Sequence, residues 1–373
     1  MFLNKQSQDE IEFTKVSDLE NWRAFQSQTS EVSETSEVSG TINAASITSA
    51  EWNFSVGKGA GLFEKLSQMP VKLGDIAEKL FQGLVTSSDA VYLLDPLETQ
   101  SGKFVKVQSK ATEKEYEMES EVVRSLIKGS RDISRYLCSP SKKVLFPYDP
   151  IESTKTRKTV LISKDDFKNK YPQAWNYLNE NIEILKGREK GKMRHDGWYG
   201  YVYPKSVSLF GNPKLLTPSI ANQASFVFDK NGEYYFVGSG GGGGGGYGII
   251  IKESFKLSYE YLLGLLNSKL LDYFLKKIST PFQGGYFAFN KQYIQQLPIR
   301  TINFNEPAEK SAHDKIVALV DSMLALHKSL ALAQSPVEKQ RLKKYIKSTD
   351  DGIDKLVYDL YGLNQEEIRL VES

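Results

Sequence analysis

The tightest constraint on this chain is a run of seven glycines, Gly240 to Gly246, set in GSGGGGGGGYGIII. Glycine loses more backbone freedom on ordering than any other residue, so the run reads as a loop. Two forms fit it: a nest of backbone N–H groups around an anion, or a flexible hairpin connection from Val237 to Ile249. Next come a helical stretch, YEYLLGLLNSKLLDYFLKKIS, and a second glycine turn in TPFQGGYFAFNKQYIQQLPI. Leu262, Leu263, Leu266, Leu270, Phe274 and Ile278 recur at three- and four-residue spacing, which predicts one helix with one buried face. Asn267, Lys269, Asp272, Lys276 and Lys277 fall on the opposite face. From Ile249 to Arg300 there are seven Lys/Arg against three Asp/Glu. A rigid support presenting backbone-rich loops to something anionic is the expectation.

A chain of 373 residues holds two or three units with a sizeable core. No stretch approaches eighteen consecutive apolar residues, so no membrane span is expected. MFLNKQSQDEIEF has neither the basic nor the apolar region of a signal peptide. The single cysteine, Cys138, permits no intrachain disulfide and fits a cytoplasmic protein. Net charge is only +2, but residues 1–65 carry five Lys/Arg and ten Asp/Glu, while 186–205 carry six and two. Such asymmetry suits a polyanion partner or a solvated basic face.

Along the chain, EIEFTKV near the start is β-like, and SQTSEVSETSEVSG reads as a solvated linker. EWNFSVGKGAGLFEKLSQMPVKLGDIAEKL predicts an apolar turn and two short helices. Short strands follow at 91–94, 104–107, 143–146, 159–163, 214–217, 225–228, 234–237 and 248–252, broken by a helical insertion over 163–189. Strands and helices do not alternate regularly, which favours α+β: a mixed β domain with helical insertions and a C-terminal helical hairpin. The hairpin is predicted from Ile316, Val320, Met323 and Leu330 on one helix and a heptad register from Leu342 to Leu363 on the other. Asn364 with Glu367 predicts a capped last helix. The expected divisions are 1–60, an incomplete β-like element plus polar linker; 61–305, the mixed β domain; and 306–373, the helical tail.

No catalytic constellation is found. His195, His313 and His327 lack metal-ligand spacing, and E-x-K, G-x-S-x-G and N-P-P-Y are absent. The glycine run lacks the acidic residue of a nucleotide-binding fold. GREKGKMRHDGWYGYVYP interleaves Lys192, Arg194 and His195 with Trp198 and Tyr199, a pattern that suits phosphates plus base faces, or a basic loop whose rings enter the core. The pair Gly284–Gly285 sets Tyr286 and Phe287 where they could wedge or stack, core packing being the other reading.

FQGLVTSSDAVYL, KLLTPSI, GGGGYGIII, YLLGLLNSKLLDYFL, PFQGGYFAFNKQYIQQLPI and IDKLVYDLYGLNQEEIRLVE occur in this order. Together they resemble the TaqI-like C-terminal specificity domain of adenine-specific DNA methyltransferases and fused type IIG restriction-modification enzymes, over about residues 60–373. The resemblance implies that this domain reads double-stranded DNA while a catalytic domain, binding S-adenosylmethionine, flips and methylates adenine. That catalytic half is missing here, so a separate methyltransferase domain or subunit is the expected partner, and no cofactor is expected on this chain. Gln82, Thr86 and Asp89 on one matched loop, a DNA-facing or domain-junction turn, and Gln283, Tyr286 and Phe287 on another become candidate DNA-binding residues beside Lys192, Arg194, His195 and Trp198. The alternative is a protein-interaction scaffold of a restriction or phage-defence complex.

Overall fold

The structure is a computed structural model that describes residues 10–16, 37–43, 59–97, 102–151, 158–238 and 245–373. It divides into two compact units, Met1–Pro70 with Gly362–Ser373, and Val71–Tyr361. In the first, β1 (Glu10–Val16) pairs antiparallel with β2 (Glu37–Asn43). The start of β2 lies in the stretch expected to be linker, so the end of that polar near-repeat is strand rather than loop. Helix α1 (Ala60–Ser67) buries Leu62 and Leu66. Lys65 ties α1 to the last helix, Gln365–Glu372, through Glu367 at 3.1 Å. Asn364 and Glu367 form the expected reciprocal cap of that helix.

The second unit is α+β, as its unordered mixture of short elements predicts. Its first strands are β3 (Ala77–Gln82), β4 (Leu93–Pro96), β5 (Phe104–Ser109), β6 (Glu115–Glu119) and β7 (Val123–Ile127). A small ladder, β8 (Ile133–Ser134) and β9 (Leu137–Cys138), precedes β10 (Lys142–Leu145) and the pair β11 (Tyr148–Ile151) and β12 (Lys158–Leu161). Helices α2 (Lys164–Lys170), α3 (Pro172–Glu180) and α4 (Ile182–Gly191) form the predicted insertion. Then come β13 (Lys214–Pro218), β14 (Ile220–Ala221), β15 (Val227–Asp229), β16 (Tyr234–Phe236) and β17 (Gly246–Ile251). Helices α5 (Tyr259–Leu266) and α6 (Lys269–Ile278), strands β18 (Pro281–Phe282) and β19 (Tyr286–Ala288), and the hairpin α7 (Pro307–Leu332) and α8 (Pro336–Leu360) complete it.

One sheet has the order β16-β7-β10-β4-β5-β6, and α2 to α4 cover it, burying Phe167, Trp175, Leu178 and Leu185 in the same core as Val91, Val107, Leu126 and Val144. Tyr177 fastens that layer by donating to the Val91 carbonyl at 2.6 Å. A second sheet runs β15-β13-β17-β3, all antiparallel. Across it Lys214, fully buried, donates to Asp229 at 2.5 Å, fixing the β13–β15 register.

Three local expectations are corrected. AEKLFQ, whose first residues favour helix, is strand β3, because pairing along β17 overrides propensity. Asp89–Tyr92 is a helical turn, so the strand expected at Val91 begins at Leu93. The single helix expected over 259–279 breaks at Asn267. Asn267 is buried rather than outward: its amide accepts from the Phe226 N–H and donates to the Phe226 carbonyl, both at 2.9 Å. Ser268 then caps α6. Helix α5 is buried nearly all round, and its Gly264 admits α7 and α8 so closely that a Cβ there would lie 2.8 Å from Ile316.

Candidate nucleic-acid interface

The register of the four-stranded sheet gathers one set of loops. Pro218 closes β13 opposite Gly246, which opens β17, and Tyr247 pairs with Gln82 at the end of β3. The loops after Gln82, after Pro218 and before Gly246 therefore leave the same end. Just beyond it, Ile220–Ala221 pairs with Phe287–Ala288, which brings the β18–β19 hairpin alongside. Stretches far apart in sequence meet here. Gly240–Gly244, the bulk of the glycine run, lie outside the described residues, and with them the anion-nest reading. At its end, Ser219 donates to the Gly245 carbonyl at 2.9 Å, and a Cβ on Gly246 would lie 2.8 Å from the Thr217 carbonyl oxygen.

The 83–89 loop is held rigidly. Gly83 lies so near the Val237 backbone that a Cβ would come within 2.2 Å of it. Thr86, expected to face DNA, is instead buried: its hydroxyl donates to Asp89 at 2.5 Å, fixing an exposed carboxylate, while Ser87 takes a left-handed φ of 54°. Gln82 is exposed and donates to the Tyr247 hydroxyl at 3.1 Å. Below the loop sits Arg188, 6% exposed. It donates to four carbonyls: Leu185, Thr86 at 2.9 Å, Trp198 at 2.6 Å and Gly200 at 2.8 Å. Its guanidinium also lies 5.4 Å from the Tyr92 ring. A buried cation is costly unless its donors are satisfied, and here they join the 83–89 loop to 198–200. Nothing in the sequence sets Arg188 apart from the cations around it; only its burial does.

The basic segment splits in two. Trp198 is 4% exposed and packs 5.6 Å from Trp175 and 5.8 Å from Tyr199, so its face is not open to a base. That reading is corrected: Trp198 and Tyr199 turn inward because the helical insertion supplies a core for them in Phe167 and Trp175. Lys192, Arg194 and His195 stay exposed. Lys192 lies 5.0 Å over the Tyr203 ring, and Tyr203 bridges to Val85 of the first loop. His195 accepts from the Gly197 N–H at 3.0 Å, and Arg194 folds back over Gly191.

In the β18–β19 hairpin, Gly284 and Gly285 both take left-handed φ values, 78° and 75°, that other residues rarely adopt. The tip presents exposed Gln283 between Phe282, 46% exposed, and its cross-strand partner Tyr286, 39% exposed. Phe287 is partly buried, with Lys276 at 5.7 Å from its ring. Two open rings on one face are thus Phe282 and Tyr286; sequence reasoning named Tyr286 and missed Phe282, although a three-residue turn between them implies the pairing.

Elsewhere, burial and neighbouring Asp229 and Asp132 push the Cys138 thiol up to about 12, an unreactive state. Among the described residues no His, Cys, Asp and Glu side chains group to hold a metal ion, and no helix is long and apolar enough to cross a membrane.

Residues 125–299 match the TaqI-like C-terminal specificity domain. The matched specificity domain includes three strands of the four-stranded sheet and the Phe282–Tyr286 hairpin; β3, with the 83–89 loop, precedes it. The whole chain is 24% identical to part of the type II restriction enzyme and methyltransferase RM.Eco57I of Escherichia coli, covering 37% of that protein. It is 25% identical to the type II methyltransferase M.PaeR7I of Pseudomonas aeruginosa over 53% of this chain and 28% of that protein. With M.BstVI of Geobacillus stearothermophilus, another type II methyltransferase, identity is 22% over 71% of this chain and 41% of the relative. The chain spans well under half the length of these relatives.

Proposed function

We propose that this chain is the sequence-reading part of a restriction-modification adenine methyltransferase and that it recognises double-stranded DNA through the loops at one end of the four-stranded sheet. The match of residues 125–299 to the specificity domain carries the reading. The geometry supports it: glycine-tipped loops with exposed Gln82, Gln283, Phe282 and Tyr286 offer amide hydrogen-bonding groups and ring faces, while Lys192 and Arg194 flank them with charge. Amides can read base edges, rings can stack or wedge, and cations position the phosphates.

Chemistry belongs to a methyltransferase domain or subunit that supplies S-adenosylmethionine. The glycine run does not build a site for that cofactor: it leads into β17, a strand antiparallel to both neighbours, where a nucleoside site needs a strand, a glycine turn and a helix. No methyl-transfer step is assigned to this chain.

Selection of the purified chain on a randomised duplex pool, at two salt concentrations, tests the proposal. An enriched sequence that survives higher salt is expected. Salt-sensitive retention with no enrichment would leave only the electrostatic component of binding and refute independent sequence reading. No retention at either salt would favour the protein scaffold instead.

A further inference from the structure

The helical hairpin has a root and a free arm. At the root, Ile316, Val320 and Ile353 pack about Gly264, His327 stacks on Tyr136, and Asp350 pairs with Arg135 at 2.7 Å. Beyond it, among residues 328–349, only Ala333 and Leu342 are buried. This arm carries Lys328, Lys339, Arg341, Lys343, Lys344 and Lys347 against one acid, Glu338. Of the chain's 48 Lys/Arg and 46 Asp/Glu, that leaves 42 and 45 elsewhere, so a chain of net charge +2 is net negative without its arm.

The arrangement is ordered. Lys339, Lys343 and Lys347 lie four residues apart on one row of α8, about 6 Å between neighbours at the rise of a helix. Lys347 pairs with Asp351 at 2.9 Å. Among the described residues, Lys339, Arg341, Lys343 and Lys344 have no carboxylate at ion-pairing distance, and all four are exposed. An ordinary solvated helix face alternates its signs; this one does not.

We propose that the arm is a second, sequence-independent DNA contact, which lays its basic row along the phosphates of duplex flanking the recognised site. The inference rests on the DNA-reading function above but places the contact on a different part of the fold. Backbone contacts of this kind add affinity and orientation without reading sequence.

The test is a fourfold variant, K339A/R341A/K343A/K344A, compared with the wild-type chain on duplexes of about 12 and about 30 base pairs across a salt series. Alanine preserves helix propensity at exposed positions, and a melting curve checks that the variant folds. Wild type should bind the longer duplex about tenfold more tightly, and the variant should lose that gain while its salt slope flattens by about 3. The sequence enriched from a random pool should be the same for both. A flank gain that survives in the variant, or is absent from wild type, overturns the proposal. Loss of sequence enrichment in wild type, with the flank gain intact, would instead sink the loop reading and leave the arm standing.

Discussion

On the proposed reading, the loop cluster and the hairpin arm are opposite solutions to meeting a polymer of phosphates and bases. In the cluster, few groups are charged and nearly every one is held: Thr86 by Asp89 and Arg188, Gln82 by Tyr247, the β18–β19 tip by two left-handed glycines. In the arm, many groups are charged and almost none is held. Base edges demand placement to fractions of an ångström, whereas a phosphate row attracts any cation that can reach it. On the proposed reading, rigidity marks where sequence is read and loose charge marks where it is not.

Breaking the rigid side should give the largest effect. Arg188→Met strips four carbonyls of their donor, so the chain is expected to lose at least about 3 kcal/mol in urea unfolding, and selection should return a degraded motif. An unchanged motif would show that the loop needs no anchor. Removing both open rings, Phe282→Ala with Tyr286→Ala, should weaken duplex binding by about 2 kcal/mol while leaving the salt slope alone. A change in salt slope would put those rings among the electrostatic contacts. Lys192→Ala with Arg194→Ala should cost less affinity and flatten the slope by about 2, with the preferred sequence intact; unchanged slope and affinity would remove that segment from the interface.

The smallest effect concerns the joint between the two regions. Burial, then the charge of Arg135, lowers the pKa of His327 below its usual 6.5. The folded state resists protonation that the unfolded chain accepts, so stability is full above pH 6.5 and falls as pH drops through that value. His327→Gln should flatten this decline by about 1 kcal/mol or less in melting curves. Asp350 and Asp354, in the same seam, are raised by burial, and their contribution has the opposite sign: present in acid and lost as pH rises through their folded pKa values. A His327→Gln variant with the parent's acid profile would show that other groups set it.

Much of the fold was legible because pattern and structure agree locally. The α7–α8 hairpin, the Asn364–Glu367 cap and strands β5, β10, β12, β13, β16 and β17 follow from periodicity and turn residues alone, whereas β6 and β7 of the six-stranded sheet do not. What escaped was decided at a distance. AEKLFQ is a strand only because β17 lies beside it, and Asn267 is inward only because Phe226 offers a backbone edge. The same holds in the site: Tyr286 and the exposed cations could be picked from type and spacing, but Trp198 and Arg188 look like their neighbours until the helical insertion covers them. The arm's charge was visible, yet a heptad reading looks at the buried stripe and passes over the face that carries it.

The position of β3 has a consequence for engineering. It completes the four-stranded sheet from outside the 125–299 segment, pairing along β17 from Ile251 to Tyr247. A chimera spliced at the borders of that segment would carry β17 as a bare, apolar edge, an invitation to aggregate or to swap strands between molecules. On the far side, Tyr361 donates to the Pro298 carbonyl and accepts from the Arg300 N–H, stitching the end of the hairpin to the start of its connector. If the chain reads sequence as proposed, the cassette to move onto a methyltransferase is therefore Val71–Tyr361, nearly three hundred residues, and shorter grafts should fail by insolubility before their specificity can be assayed.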